Sequence, residues 1–307
     1  MDLAIETTLL TGGYGNSIVL RELSLRVPRA SIYGFLGPNG AGKTTGIKML
    51  LGMLTPACGE VRILGKSLPG ALPGVLRHVG SLVEEPSLYD HLTGEENLEI
   101  WRRLRGLKHS DIGWAIQALG IEQYVRRKVR EYSRGMRQRL GVAIALIGKP
   151  DLLLLDEPMN GLDPTGLQMF RSALCELREE RGTTVLLSSH QLEEVERLAT
   201  HVGILSHFGD LLFEGPVEEL FGRIPQRLVI KVDRKDEALR ALAGGGFTAD
   251  ANEDHLVIHG ASAETAREAN RVLVMQGVGV HHLSIELATL EQLFVKITTG
   301  SGSKESI

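Results

Sequence analysis

Nowhere does the sequence hold a run of about 18 apolar residues, so no segment reads as a bilayer-spanning helix. The opening Met1-Asp2-Leu3-Ala4-Ile5-Glu6 lacks the basic stretch and apolar core of a secretory signal. Position 2 is not glycine, which argues against myristoylation. There are only two cysteines, Cys58 and Cys175, enough for one disulfide at most. Two free thiols in a reducing cytosol is the more economical reading. Charge of either sign is not in excess: 34 basic residues face 38 acidic ones, a net of −4. Nucleic-acid-binding domains are usually strongly basic. Aromatics make up only 5% of the chain, which leaves little for bases to stack on. Glycine is over-represented, 36 of 307, or about 12% against about 7% in an average protein. A hydrophobic share of 43% excludes global disorder. The expectation is a soluble intracellular chain with one large domain and a modest appendage.

Residues 1–36 alternate short β-rich runs with turn signals such as Gly12-Gly13-Tyr14-Gly15-Asn16. An apolar strand over 31–36 runs into a Gly-rich loop, and a helical pattern over 43–54 stops before Pro56. Residues 92–132 read as helices with Arg-rich polar faces, and a long helix after Ser133 closes at Gly148-Lys149-Pro150. Leu152–Leu155 has the pattern of a strand buried on both faces. A helix at 166–180 and a strand at 183–188 follow. Strands alternating with helices predict an α/β fold with a largely parallel sheet. Beyond Pro225, strands at 228–232, 256–259 and 280–285, with helices at 237–242 and 263–276, predict a small α+β unit able to fold alone.

Gly37-Pro38-Asn39-Gly40-Ala41-Gly42-Lys43-Thr44 matches G-x-x-x-x-G-K-[ST], between a strand and a helix as that motif requires. Its glycines let backbone N–H groups turn around a polyphosphate, and the helix N-terminus adds its dipole. Lys43 supplies a point charge for the β- and γ-phosphates, and the Thr44 hydroxyl suits Mg²⁺. Thr45 is placed for the α-phosphate. Downstream, the Leu152–Leu155 run ends in Asp156-Glu157. A strand end beside a phosphate loop puts Asp156 near the metal and lets Glu157 polarise an attacking water.

With these two motifs, Tyr132-Ser133-Arg134-Gly135-Met136 followed by Arg137-Gln138-Arg139-Leu140 resembles the signature motif of the ATP-binding subunits of ABC transporters. Asn160-Gly161-Leu162-Asp163 resembles that family's D-loop, and His190 its switch histidine. Tyr14 sits where the family has an aromatic that stacks on adenine. Ser133 also suits an ordinary N-cap, and the two roles share their physics, because a capped helix N-terminus is an anion site. The resemblance covers residues 1 to about 220. It implies a P-loop ATPase of ABC type with a helical subdomain at about 85–148, plus the C-terminal α+β accessory domain. The domain reading is therefore 1–222, 223–298 and a disordered tail at 299–307.

The resemblance further implies ATP and Mg²⁺ as cofactors. Lys43, Glu157 and His190 would be catalytic, and Thr44, Asp156 and Glu84 would hold the metal. Tyr14, residues 37–45, Glu84, Ser133, Gly135 and Asp163 would contact nucleotide. In the family the signature motif of one subunit faces the phosphate loop of another, which implies a homo- or heterodimer closed by ATP. A separate polytopic permease is the implied partner, with the chain held through it at the cytoplasmic face of the cell membrane, and no nucleic acid is implied. The implied activity is Mg-dependent ATP hydrolysis driving export of a drug, antibiotic peptide or similar amphiphile. The alternative is a non-transport relative acting on DNA or ribosomes; those usually carry a coiled-coil insertion or two cassettes, and this chain has neither. A stand-alone P-loop kinase fits the signature run and His190 poorly.

Two positions depart from the family pattern. Glu84 stands where most relatives have a glutamine, as in the bacitracin-export and lantibiotic-immunity branch, and is either a functional change or a neutral replacement. Arg134 replaces a second signature glycine and adds charge, which points to tuning. The Arg-rich stretches at 102–105 and 126–139 read as solvated helix faces. Finally, the segment from Leu287 to Phe294 resembles the short helix that closes the accessory domain of export-type subunits. Leu290, Leu293, Phe294 and Ile297 give it an apolar stripe.

Overall fold

The computed structural model describes residues 2–15, 17–222, 226–252, 254–286 and 289–300. They fall into two compact units: residues up to Val217 together with those from Ile297, and Glu218–Lys296.

The first unit begins with four strands, β1 (Leu3–Tyr14), β2 (Ser17–Leu23), β3 (Arg26–Pro28) and β4 (Ile32–Leu36), and the phosphate loop then opens α1 (Lys43–Leu50). The helix is shorter than the 43–54 pattern predicts. Leu51 caps it, and Gly52, at φ +68°, turns the chain away. Next come β5 (Cys58–Ile63), β6 (Lys66–Ser67), α2 (Leu72–Leu76) and β7 (Val79–Leu82). The helical stretch holds α3 (Gly94–Arg105), α4 (Ser110–Ala118), a 3₁₀ turn at Val129–Glu131 and α5 (Arg134–Leu146). The unit continues through β8 (Leu152–Leu155), α6 (Pro164–Arg181), β9 (Thr184–Ser188), α7 (Leu192–Leu198), β10 (His201–Leu205) and β11 (Leu211–Pro216).

Two sheets result. β1, β2, β3, β5 and β6 pair antiparallel. The other sheet has the order β11-β10-β4-β9-β8-β7, parallel throughout except for the β11 edge. Every residue of β4, β8 and β9 is buried, as expected of parallel strands covered on both faces. Phe35, Ile47, Leu154, Leu186 and Leu205 join one core cluster. Each such side chain stabilises the fold by about 1.5–3 kcal/mol. Because β4, β8 and β9 are parallel neighbours, their C-terminal ends lie along one sheet edge, the usual place for a ligand in an α/β sheet.

The helices carry their own stops and starts. Thr93 and Glu96 form a reciprocal capping box at α3, with the Glu96 N–H donating to Thr93 Oγ1 at 3.1 Å and the Thr93 N–H to Glu96 Oε2 at 2.7 Å. Gly106, at φ +66°, ends that helix. Asp163 caps α6, with Pro164 in its first turn.

In the second unit, α8 (Val217–Gly222) enters from the boundary. It is followed by β12 (Arg227–Val232), α9 (Lys235–Gly244), β13 (Asp250–Ala251), β14 (Leu256–His259), α10 (Ala263–Met275) and β15 (Val280–Glu286). The antiparallel order β13-β14-β12-β15 is that of a split βαβ. Leu228, Ile230, Leu242, Leu256, Ile258 and Leu273 form its core. The final helix, α11 (Leu290–Gly300), runs later than the 287–294 stretch read from the sequence. Leu290 and Leu293 are buried on it. Leu287 and Ala288 lie outside the described residues, as do 301–307 of the expected tail, whereas 299 and 300 belong to α11.

Candidate nucleotide site

The phosphate loop joins β4 to α1. Gly40 and Gly42, at φ +83° and +93°, turn its backbone through the left-handed region that only glycine enters freely. The Lys43 ammonium folds back over the loop, donating to the carbonyls of Gly37 at 2.7 Å and Pro38 at 3.2 Å. Burial pulls this ammonium below its usual pKa, and the Glu157 and Asp156 carboxylates act against that shift.

From Thr44 a chain of short contacts crosses the sheet edge. The Thr44 hydroxyl donates to Asp156 Oδ2 at 2.7 Å, and the Ser188 hydroxyl donates to Asp156 Oδ1 at 2.6 Å. Ser188 Oγ in turn accepts the Glu157 N–H at 2.9 Å. His190 Nδ1 lies 2.8 Å from Glu157 Oε2, and the His190 N–H donates to the same oxygen at 3.4 Å. Three strand ends thus meet: β4 through its loop, β8 through Asp156 and Glu157, and β9 through Ser188 and His190. Glu157 adopts φ +48°, a conformation that costs a non-glycine residue strain and that clusters at functional sites. Gln138 of α5 holds this turn, its side-chain amide donating to the Pro158 carbonyl at 3.0 Å and the Glu157 carbonyl at 3.3 Å.

On the sequence alone Ser188 has no role, and Gln138 stands only as part of the run after Met136, with no role of its own. Both are buried polar residues.

Tyr14 ends β1 and is half exposed, as a stacking platform must be. Lys48 of α1 lies over its ring at 5.7 Å and pairs with Glu84 at 2.6 Å. Glu84 therefore contacts Lys48, while sharing with Asp156 and Glu157 the lining of a cavity of about 580 Å³.

Ser133, Gly135 and Asp163 come together elsewhere, around a separate cavity of about 450 Å³ that no residue of the phosphate loop lines. Ser133 is exposed and accepts the Met136 N–H at 3.3 Å, so its N-cap role is real. Asp163 accepts from the Arg139 guanidinium and from the Gly166 N–H at 3.1 Å. Those two partners, Arg139 first, hold its carboxyl below the usual carboxylate range. A larger cavity of about 680 Å³ lies in the second unit, lined by Arg240, Gly245 and Met275 among others, and touches none of these groups.

This arrangement has relatives. The ABC transporter family model matches residues 20–160. Over 304 residues the chain is 37% identical to the bacitracin transport ATP-binding protein BcrA of Enterococcus faecalis, covering 98% of each chain. The chain belongs to the ABC transporter ATP-binding proteins. This cassette is also 37% identical to the lantibiotic transport ATP-binding protein SrtF of Streptococcus pyogenes, over 69% of its own length and 93% of that chain. A solved ATP-binding subunit of an ABC transporter superposes with a TM-score of 0.66 at 29% identity, covering 72% of the cassette and 92% of that subunit. The fold class read from the sequence, an ABC-type P-loop ATPase with a C-terminal α+β part, is the one observed. Members of the family bind ATP and couple its hydrolysis to transport. No helix among the cassette's described residues is long and apolar enough to cross a membrane.

Proposed function

We propose that this chain binds Mg²⁺·ATP on the edge where β4, β8 and β9 end, and that hydrolysis there powers a separate membrane permease exporting an antibiotic peptide or similar amphiphile. The continuous contact chain Thr44–Asp156–Ser188–Glu157–His190 carries the proposal. The cargo class rests on the similarity to bacitracin and lantibiotic transport proteins, over 98% and 69% of the chain.

In this reading residues 37–45 wrap the phosphates, Lys43 neutralises them and Tyr14 stacks on the base. Glu157 accepts a proton from the attacking water, and His190 holds its carboxylate in place. Thr44 and Asp156 fit a hard cation. They offer two oxygens 2.7 Å apart, and no cluster of three or more metal-ligating side chains exists among the described residues. Phosphate and water would supply the remaining ligands, the way Mg²⁺ is usually held. When bound, the ion neutralises charge on the transferring phosphoryl group.

Ser133, Gly135 and Asp163 open onto a cavity of their own, which supports a site completed by a second copy or a related subunit. We take 1–222 as the ATPase domain, with a helical subdomain at about 85–148, and 223–298 as the accessory domain. The protein would act at the cytoplasmic face of the membrane through its permease. The deciding experiment measures ATPase activity and ATP affinity of the purified chain against Lys43→Ala and Glu157→Gln, and permease-dependent resistance to candidate peptides in cells. Undiminished hydrolysis in both variants refutes the site, and resistance independent of the permease refutes the transport role.

A further inference from the structure

Lys48 and Glu84 form an unequal pair. Lys48 rides on regular helix α1, its side chain 17% exposed and its ammonium over the Tyr14 ring. Glu84 follows β7 in a loop, its side chain 64% exposed. Its backbone sits at φ +59°, so the local conformation is strained. The lysine is the fixed member and the glutamate the movable one. Glu84 also borders the cavity that Asp156 and Glu157 line, so its carboxylate has a second destination beside the Thr44–Asp156 pair.

We propose that Lys48 is a positioning residue that acts through Glu84: it holds this carboxylate off the cation position, and the pair must open before Glu84 can join a nucleotide-bound divalent ion. The inference rests on the reading of Thr44 and Asp156 as the seat of that ion. An exposed ion pair of this kind shifts an equilibrium by up to about fivefold, enough to tune metal affinity and too little to prevent binding. Lys48 also supplies a positive charge beside a carboxylate that stands in the place of a neutral amide. The same ammonium lies over the ring of Tyr14, the proposed base-stacking platform, so one side chain of this latch touches both the base side and the metal side of the site.

The test uses the full chain with ATPγS and Mn²⁺ as the probe, with metal affinity read by electron paramagnetic resonance. Lys48→Met keeps an unbranched side chain of similar length and removes the ammonium, with its contacts to Glu84 and to the Tyr14 ring. It is expected to tighten Mn²⁺ about three- to fivefold, with Lys48→Arg restoring the wild-type value. Removing any nearby cation also tightens a metal through space, so the decisive comparison is made in Glu84→Gln, where Lys48→Met should change nothing further. Equal tightening in both backgrounds, or no tightening in the first, overturns the latch. Lys48→Gln serves as a second neutral variant should Lys48→Met fold poorly. ATPγS affinity without metal separates the two readings: if Lys43→Ala leaves it unchanged, the nucleotide site itself is misassigned, whatever Lys48 does.

Discussion

His190 Nδ1 stands 2.8 Å from Glu157 Oε2, and the backbone N–H of the same histidine points at the same oxygen. One carboxylate oxygen is thereby oriented from β9 while its own backbone is tied to Ser188. The other oxygen is left to receive a proton. Glu157→Gln keeps the shape and loses the base. It should bind ATP, lose turnover by about 10²–10⁴-fold and accumulate as an ATP-bound dimer in size-exclusion chromatography. Near-normal hydrolysis would rule Glu157 out as the base.

Lys43→Ala removes the cation folded over the phosphate loop. ATP affinity measured by calorimetry should fall steeply while far-ultraviolet circular dichroism is unchanged. Unaltered affinity would sink the phosphate-loop assignment.

Gly135 leaves no room for a side chain: a Cβ there would lie 2.5 Å from the Gly161 carbonyl oxygen. Gly135→Ala must push the signature turn away from the 160–163 loop, at a cost of about 1–3 kcal/mol. ATP-dependent dimerisation should weaken more than ATP binding by the monomer. Equal loss of both would show that the contact only stabilises the fold.

Asp163 caps α6 and meets Arg139. Asp163→Ala should cost about 1 kcal/mol, read as a fall of a few degrees in Tm. The carboxyl titrates lower when folded than when unfolded. Its contribution is therefore complete above the unfolded carboxylate range and fades as pH drops through the lower folded value. The Tm gap between wild type and variant should close in acid and hold at neutrality; a gap independent of pH would assign the effect to something other than the charge.

Much of this site was legible because its residues are neighbours in sequence. Residues 37–45 are contiguous, and Asp156 and Glu157 end an unmistakable apolar run. The groups that escaped notice act at a distance. Gln138 and Ser188 each reach the 156–158 turn from another element, and nothing in their own segments, Arg137-Gln138-Arg139 and Ser188-Ser189-His190, says which of the polar residues turns inward. A metal role for Glu84 is only what the resemblance implies, and its pairing with Lys48 has no sign in the sequence, since one lies beyond β7 and the other on α1. The parallel strands were plain from their polarity. β5 was not, because its residues are mostly exposed and it begins at Cys58-Gly59, and β13, two residues long, has no periodicity to read.

The four leucines of β8 have one further consequence. Identical side chains at every position make burial blind to sliding, since a shift by one residue exchanges leucine for leucine, and polarity normally sets strand alignment. What resists the slide are the polar groups at the strand's two ends: the Asp156 carboxylate, engaged by Thr44 and Ser188, and the Pro150 carbonyl and Asp151 carboxylate, met by Thr183 and His78. Alignment and site geometry are therefore tied together: the register that pairs Leu152–Leu155 with β7 and β9 is also the one that sets Asp156 between Thr44 and Ser188.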